Sequence, residues 1–433
     1  MRGSMNNFSL TDDQSTALAE FRLWLSKPSE KFMILNGHAG CGKTTLIKYI
    51  YDAIHEKQKM YEVLLQKKQK RMDVVLCATT NKAAAVLGHI TNMTVMTVHG
   101  ALRLTVKPDF KTGKFTTIKR KDYELLYSTL FIMDEVSMMD DDMLAWVDRT
   151  ARHGCKILLI GDHYQLAPID QPKSVMETIN CRRVTLSKVM RHAGPILHVA
   201  GQFRNTVETG LFKPVPTHHP NVRFMSGQPL RDYMQQVFTD PSYKIDTAKI
   251  LARENKMVMG YNDYIRGIRG YSKTFVPGET ALTNNPIITK KGAMHQTDSK
   301  VKITGVGPDT KQHGLTGNFI DIDGGWDSDH TGFLPHHVHE VQALLKQLTI
   351  EAKGSGNWKT YFMVKSGWLD LRPAYASTVH KAQGSTFDIA FINLTNIGAG
   401  FIPEDVARLC YVSTSRAAKE VIYCGKLPPH YGG

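Results

Sequence analysis

"GHAGCGKTT", residues 37–45, closes the apolar run "FMILNG" (32–37) and opens the helical pattern "TTLIKYIYDAIHEK" (44–57). A strand that turns through glycines and re-enters as a helix gathers backbone N–H groups and a helix N-terminus around one point, the arrangement by which a polypeptide holds phosphate. Gly37, Gly40 and Gly42 keep side chains out of the turn, Lys43 reaches the terminal phosphates, and Thr44, with Thr45 beside it, supplies a hydroxyl for Mg²⁺. The expected ligand is a nucleoside triphosphate, ATP, with Mg²⁺.

Working outward, the apolar runs "DVVLCAT" (73–79), "LFIMDE" (130–135) and "KILLIGD" (156–162) alternate with the helical patterns "NKAAAVLGHI" (81–90) and "DDDMLAWVDRTARH" (140–153). Short uninterrupted apolar runs alternating with helices predict a parallel sheet covered on both faces. The rhythm returns in "AKILA" (248–252), "NKMVMGYNDYIRGIRG" (255–270), "DIAFINL" (388–394), "EDVARL" (404–409) and "EVIYCG" (420–425), so a second α/β unit follows the first. From 275 to 370 the texture changes to Gly, Thr, Asn, Asp and Pro, with β-like pieces such as "KVKITGVG" and "GNFIDID" and one helical stretch, "HHVHEVQALLKQLTIEAK". The predicted organisation is a first unit over 5–190, a second over 191–274 and 371–433, and a small β-rich module inserted at 275–370.

Composition bounds the function. A chain of 433 residues is too long for one core, and 42% hydrophobic with 22% charged residues describes a soluble globular protein. No apolar run is long enough to span a membrane and the N-terminus has no export signal, so the cytosol is expected; Met1-Arg2-Gly3-Ser4 before Met5 has the look of a vector leader. Lys and Arg, 54 against 40 acidic residues, give a net charge of +14, which favours a polyanionic partner. The six cysteines form no C-x-x-C pair, and His218-His219 and His336-His337-x-His339 lack a second ligand cluster, so neither a disulfide framework nor a zinc site is expected.

Hydrolysis needs more than a phosphate cradle, because charge on the γ-phosphate must be met while a water is aligned and deprotonated. Asp134 and Glu135, ending the run "LFIM", supply the pair: Asp134 for Mg²⁺, Glu135 as general base. Gln165 in "GDHYQLAP" (161–168) follows another strand and is placed to sense the γ-phosphate.

"LTDDQSTAL" (10–18), the P-loop, "CATTNKAA" (77–84), "TVHG" (97–100), "DEVSM" (134–138), "GDHYQLAP", "LSKVMRHAGPI" (186–196), "ASTVHKAQGSTFD" (376–388) and "YVSTSRA" (411–417) stand in the order of superfamily-one helicase motifs. From Leu10 to about Tyr423 the chain resembles the superfamily-one B helicases of the RecD, Pif and Dda group, and within it most closely the Dda branch known from T-even phages. The resemblance implies two tandem RecA-like parallel-sheet lobes, ATP hydrolysis, 5′-to-3′ movement on single-stranded DNA and unwinding of duplex or forked DNA. It implies a monomer acting in a host cytoplasm, with single-strand-binding or replication proteins as further partners. It assigns adenine reading to Gln14, γ-phosphate arginines to Arg191 and Arg416, and a link from the second lobe to the nucleotide to Gln383 and Gly384.

Thr79, Thr80 and Asn81, then Thr97 and His99, then Thr378 and His380, fall just after predicted strands, where loops gather on one face of a parallel sheet. In the family such groups hold the backbone phosphates of one strand, a contact blind to sequence; ordinary cap and turn chemistry is the competing reading of each. "RLTVKPDFKTGKFTTIKRK" (103–121) reads as a basic β-hairpin, a pin at 102–121, whose Phe110 or Phe115 stacks on the first base pair. The inserted module resembles the SH3-like domain with helical extension of Dda-like enzymes, but the chain departs most from its relatives there, so a clamp between module and hairpin is not carried over from the resemblance. Trp326, Trp358 and Trp368 read as core residues. Two rival functions stay open: a translocase that strips proteins from DNA, and a DNA-binding recombination factor switched by ATP.

Overall fold

The structure, a computed structural model, describes residues 10–65, 72–168, 173–189, 194–216, 218–272, 274–289, 292–323 and 330–432. Arg191 and Trp326 lie outside the described residues.

Helix α1 (Asp12–Ser26) starts on a reciprocal cap: the Gln14 amide N–H donates to the Thr11 hydroxyl at 3.4 Å, and the Thr11 N–H donates to Gln14 Oε1 at 3.0 Å. The chain then lays down β1 (Phe32–Gly37), α2 (Lys43–Leu65), β2 (Asp73–Ala78), α3 (Asn81–Thr91), β3 (Val95–Thr97), α4 (Val98–Ala101), the hairpin β4 (Leu104–Pro108) and β5 (Phe115–Lys119), β6 (Thr129–Asp134), α5 (Asp141–Thr150), β7 (Lys156–Gly161), α6 (Val175–Thr178) and β8 (Arg182–Leu186). Apart from the hairpin, these strands form one sheet in the order β3-β2-β6-β7-β1-β8, parallel throughout. Every residue of β6 and β7 is buried, because both faces are covered. Leu158 and Ile160 pack with Phe21, Trp24, Leu46 and Ile50 of α1 and α2, while Ile157 and Leu159 pack with Val147 and Val175 of α5 and α6. That split is the two-residue strand period at work.

The second lobe begins with α7 (Pro195–Thr209), β9 (His218–His219), β10 (Val222–Phe224), α8 (Gly227–Thr239), β11 (Ala248–Ala252) and α9 (Asn255–Ile268). The chain then leaves it for β12 (Thr280–Thr283), β13 (Ile287–Thr289), β14 (Gly292–His295), β15 (Lys300–Gln312), β16 (Leu315–Asp323), β17 (His330–Pro335), α10 (Val338–Ser355), α11 (Lys359–Lys365) and β18 (Leu371–Pro373). It returns through β19 (Ala376–Thr378), α12 (Val379–Ala382), β20 (Phe387–Asn393), α13 (Leu394–Gly398), α14 (Pro403–Ser415) and β21 (Ala417–Cys424). The lobe's sheet runs β19-β11-β20-β21-β10-β9, parallel except for the short antiparallel β9.

The inserted sheet, β17-β16-β15-β12-β18, is antiparallel with its own small core of Val301, Ile303, Ile320, Ile322 and Leu369. The expected exit at 370/371 falls at the start of β18, a strand of that sheet. Helix α9 fastens both ends of the insertion: the Arg266 fork lies on the Glu279 carboxylate at 2.8 and 3.1 Å, and Asn262 Oδ1 accepts the N–H groups of Tyr375 and Ala376 at 3.1 and 2.8 Å.

The lobes share an apolar seam. Ala39 and Leu166 of the first lobe are buried in one cluster with Val199, Phe203, Leu409 and Tyr411 of the second.

Candidate functional site

All the expected chemistry of the first lobe leaves from the C-terminal edge of its sheet. The P-loop follows β1, Thr79–Asn81 follow β2, Thr97–His99 follow β3, Asp134 and Glu135 close β6, and Asp162–Gln165 follow β7. In the P-loop, Gly40 and Gly42 have φ of 82° and 81°, and a Cβ on Gly42 would lie 2.6 Å from Gln14 Nε2. Gln14 therefore packs directly on the loop, its Nε2 donating to Cys41 O at 3.2 Å. Lys43 Nζ donates to Gly37 O at 2.6 Å and His38 O at 3.2 Å. Burial opposes its charge, but the surrounding anionic groups, Asp162, Glu135 and Asp134 among them, hold its pKa above the ordinary lysine value.

Asp134 is 8% exposed, and burial, then Glu135, push its carboxyl up to about 6 against the pull of Lys43. Glu135 adopts the left-handed conformation at φ 55°, ψ 37°, uncommon for a residue with a side chain, and its carbonyl accepts from Thr79 Oγ1 at 3.0 Å. Buried side-chain oxygens normally have hydrogen-bond partners. Here Glu135 Oε2, Gln165 Oε1 and Gln383 Oε1 have none among the described residues. Unsatisfied buried acceptors suit a ligand that brings metal, water or protons. No three His, Cys, Asp or Glu side chains gather to hold a metal among the described residues.

The second lobe reaches into this site. Gln383 Nε2 donates to Ser137 Oγ at 3.0 Å, beside the acidic pair. Arg416 is 2% exposed at the end of α14, its guanidinium donating to Val412 O and Ser385 O, each at 3.3 Å, and to Ser415 Oγ at 3.2 Å. Gly384 lines a 600 Å³ cleft together with Gln383, Glu135, Thr79, Thr80, Asn81, Thr97, His99 and His380.

The threonines also serve the backbone. Thr80, Thr97 and Thr378 are N-caps, accepting from the N–H groups of Ala83, Gly100 and Lys381 at 3.1, 3.1 and 3.3 Å. Cap chemistry and cleft lining thus coincide at Thr80 and Thr97. Thr97-Val98-His99 and Thr378-Val379-His380 form matching capped turns, one from the edge strand of each sheet. Burial holds both imidazoles below the usual histidine pKa.

Several cross-lobe contacts were not legible in the sequence. Arg408 of α14, 4% exposed, donates to Gln165 O at 2.8 Å and to His163 O, and pairs with Glu177 at 3.3 Å and Glu404 at 2.7 Å. Arg204 of α7 lies 2.9 Å from His38 Nδ1 in the P-loop, which is also 3.2 Å from Ser187 O. Burial, then Arg204, hold the His38 pKa below the usual histidine value. In the cleft, Gln296 of the inserted module accepts from Asn81 Nδ2 at 3.2 Å. The one available signal was the i, i+3 spacing of Arg408 and Tyr411 on a helix buried from Val406 to Ser415.

The hairpin tip docks on the inserted module. Trp358 N–H donates to Phe110 O at 3.0 Å, and the Phe110 and Phe115 rings stand edge-on to Phe362 at 5.6 and 5.4 Å. Gly113, at φ 73°, lies so close that a Cβ would come 2.5 Å from the Trp358 ring. Phe110 and Phe115 nonetheless remain 50% and 56% exposed. Trp358 is buried, in a side cluster with Ala352 and Phe362, while Trp368 is only half-buried.

Two parallel-sheet lobes, with a P-loop and acidic pair in one and a buried arginine helix from the other packed against them, define a two-lobed P-loop motor of the helicase kind. The chain is homologous to known ATP-dependent DNA helicases. Residues 9–206 match the AAA domain family and residues 373–423 the UvrD-like helicase C-terminal domain. It is 24% identical over 461 residues to the ATP-dependent DNA helicase dda of Enterobacteria phage T4, covering 96% of this chain and 99% of that one. It is 28% identical over 194 residues to the ATP-dependent RecD2 DNA helicase of Deinococcus radiodurans, covering 44% of this chain and 23% of that one. Among solved structures, Pif1 helicase from Bacteroides in complex with ADP-AlF3 and ssDNA superposes with a TM-score of 0.52 at 14% identity, over 99% of this chain and 95% of that one. A structure of two coordinating Pif1 helicases at forked dsDNA gives 0.53 at 14% identity, over 99% and 94%.

Proposed function

We propose that the protein is an ATP-dependent DNA helicase that moves 5′-to-3′ on single-stranded DNA and separates duplexes ahead of it. One observation carries this: the 600 Å³ cleft has Glu135 and Gln383 in its wall beside Thr97, His99 and His380, groups drawn from both lobes. Fuel and track thus share one seam, so a change in one is felt at the other.

In this reading Lys43 and the P-loop N–H groups hold the triphosphate, with Gln14 at the adenine. Thr44 and Asp134 would hold Mg²⁺, which would supply positive charge against the triphosphate. Glu135 draws a proton from the attacking water, Gln165 orients at the γ-phosphate, and Arg416, joined by Arg191, meets the developing charge when the lobes close. Asn81, Thr79, Thr80 and the two Thr-Val-His turns hold backbone phosphates, one set per lobe, so closing shortens the distance between grips. The hairpin, carrying Phe110 and Phe115 on the first lobe, separates the strands.

The test is the ATPase rate with and without an oligonucleotide, followed by unwinding of duplexes with a 5′ or a 3′ tail. We expect stimulation by single strands, unwinding from the 5′ tail alone, and loss of both in Lys43→Ala. Hydrolysis with no strand separation would leave only a translocase; nucleotide binding without turnover would leave a switch.

A further inference from the structure

Tyr411 lies on α14 between Arg408 and Arg416, and its side chain crosses the seam. The residue is 2% exposed. Its hydroxyl donates to Asp162 Oδ2 at 2.7 Å and accepts the backbone N–H of Ala39 at 3.1 Å. Ala39 belongs to the P-loop. Asp162 heads the loop that carries Gln165, whose Nε2 lies 3.4 Å from the same carboxylate oxygen, and the Tyr164 N–H donates to Asp162 Oδ1 at 3.1 Å. One second-lobe oxygen therefore bonds the phosphate loop and the sensor loop together. Burial and Asp162 drive the phenol pKa far above its ordinary value, so it acts as a neutral donor.

The geometry has a consequence for coupling. Arg416 ends the helix on which Tyr411 stands, and among the described residues the bonds of Tyr411 tie that helix to first-lobe groups on both sides of the phosphate site. A buried hydroxyl with both roles used holds Asp162 and the Ala39 N–H at once, and losing it frees both. We propose that Tyr411 is a positioning residue for hydrolysis, transmitting lobe closure to the P-loop and to Gln165. This rests on the reading of the site as an ATPase stimulated by single-stranded DNA.

Tyr411→Phe removes the one oxygen and keeps the ring. The readout is the ratio of DNA-stimulated to basal ATPase rate on a single sample, in which the folded fraction cancels. We expect that ratio to fall about tenfold or more while KM for ATP shifts less than about threefold, the signature of a lost transition-state interaction rather than of weakened binding. Tyr431→Phe is the control, since that hydroxyl is also buried in the second lobe but donates to Gly400 O at 3.1 Å, a carbonyl of its own lobe; it should keep the wild-type ratio. A wild-type ratio in Tyr411→Phe, or an equal fall in Tyr431→Phe, overturns the assignment. Wild-type protein that fails to hydrolyse ATP, or a Lys43→Ala variant that hydrolyses it normally, overturns the ATPase reading instead.

Discussion

Glu135 combines two costs that a merely structural residue would not carry. Its backbone sits in the left-handed region and its Oε2 is buried without a partner among the described residues. Such strain persists where surrounding structure enforces it, commonly at a site that uses it. The neighbouring Asp134 carboxyl accepts the Glu135 N–H at 2.9 Å, and Glu135 lines the cleft. Glu135→Gln keeps the shape and removes the base. Its kcat should fall about 100-fold or more while ATP binding stays within about threefold, measured by single-turnover hydrolysis and nucleotide titration; near-normal kcat would remove Glu135 from the chemistry. The places of Lys43, Asp134, Glu135 and Gln165 at the C-terminal edge of the sheet were legible in the sequence because each ends or follows an apolar run by a short step. Arg204, Arg408 and Tyr411 were not, because their roles depend on which face of a helix in one lobe meets a loop of the other, and no local pattern encodes that.

At the scale of elements, apolar runs announced the strands well: "FMILNG" is β1, "AKILA" is β11, and "KILLIGD" overruns β7 by one residue. Buried parallel strands are nearly continuous in hydrophobicity, so they stand out. The inserted module was harder, since its sheet alternates polar and apolar residues and β18 lies beyond the helical stretch, separated from its partner β12 by most of the insertion. The docking of the hairpin on α11 was missed for the same reason as the cross-lobe contacts. It is small aromatic packing between segments some 250 residues apart in sequence. That contact makes a specific prediction. If α11 braces the hairpin, Trp358→Ala should lower unwinding as Phe110→Ala with Phe115→Ala does, and both should retain single-strand-stimulated ATP hydrolysis. Loss of hydrolysis in step with unwinding would show that the aromatic contact supports the fold of the motor and not strand separation.

For the whole molecule the net charge of +14 matters less than where cations are crowded. Lys82 of the first lobe and Lys381 of the second both line the 600 Å³ cleft. Lys82 is pushed down to about 8 by burial, with Arg372, Lys300 and Arg416 repelling it and Asp246 opposing. Lys381 is likewise pushed to about 8 by burial and Arg372, with Asp370 opposing, and it bonds Asn284 of the insertion. Lys249, under the same junction, is driven by burial and Lys82 to about 7. Two lobes and an insertion thus meet across like charges that a phosphate backbone would relieve. The sign follows: a lysine lowered in the free protein loses its proton as pH rises through about 8, and bound phosphate favours the charged form, so binding near pH 8.5–9 must take protons up. Single-strand affinity should then fall by about tenfold per pH unit for each proton taken up, and titration calorimetry in buffers of different ionisation enthalpy should report roughly one to two protons per complex near pH 9. Lys82→Met with Lys381→Met should abolish most of that uptake and flatten the pH profile, at the cost of weaker binding at pH 7. Uptake that is absent in the wild type, or undiminished in the double variant, would mean that the strand does not run between these two lysines and that the cleft is not its path.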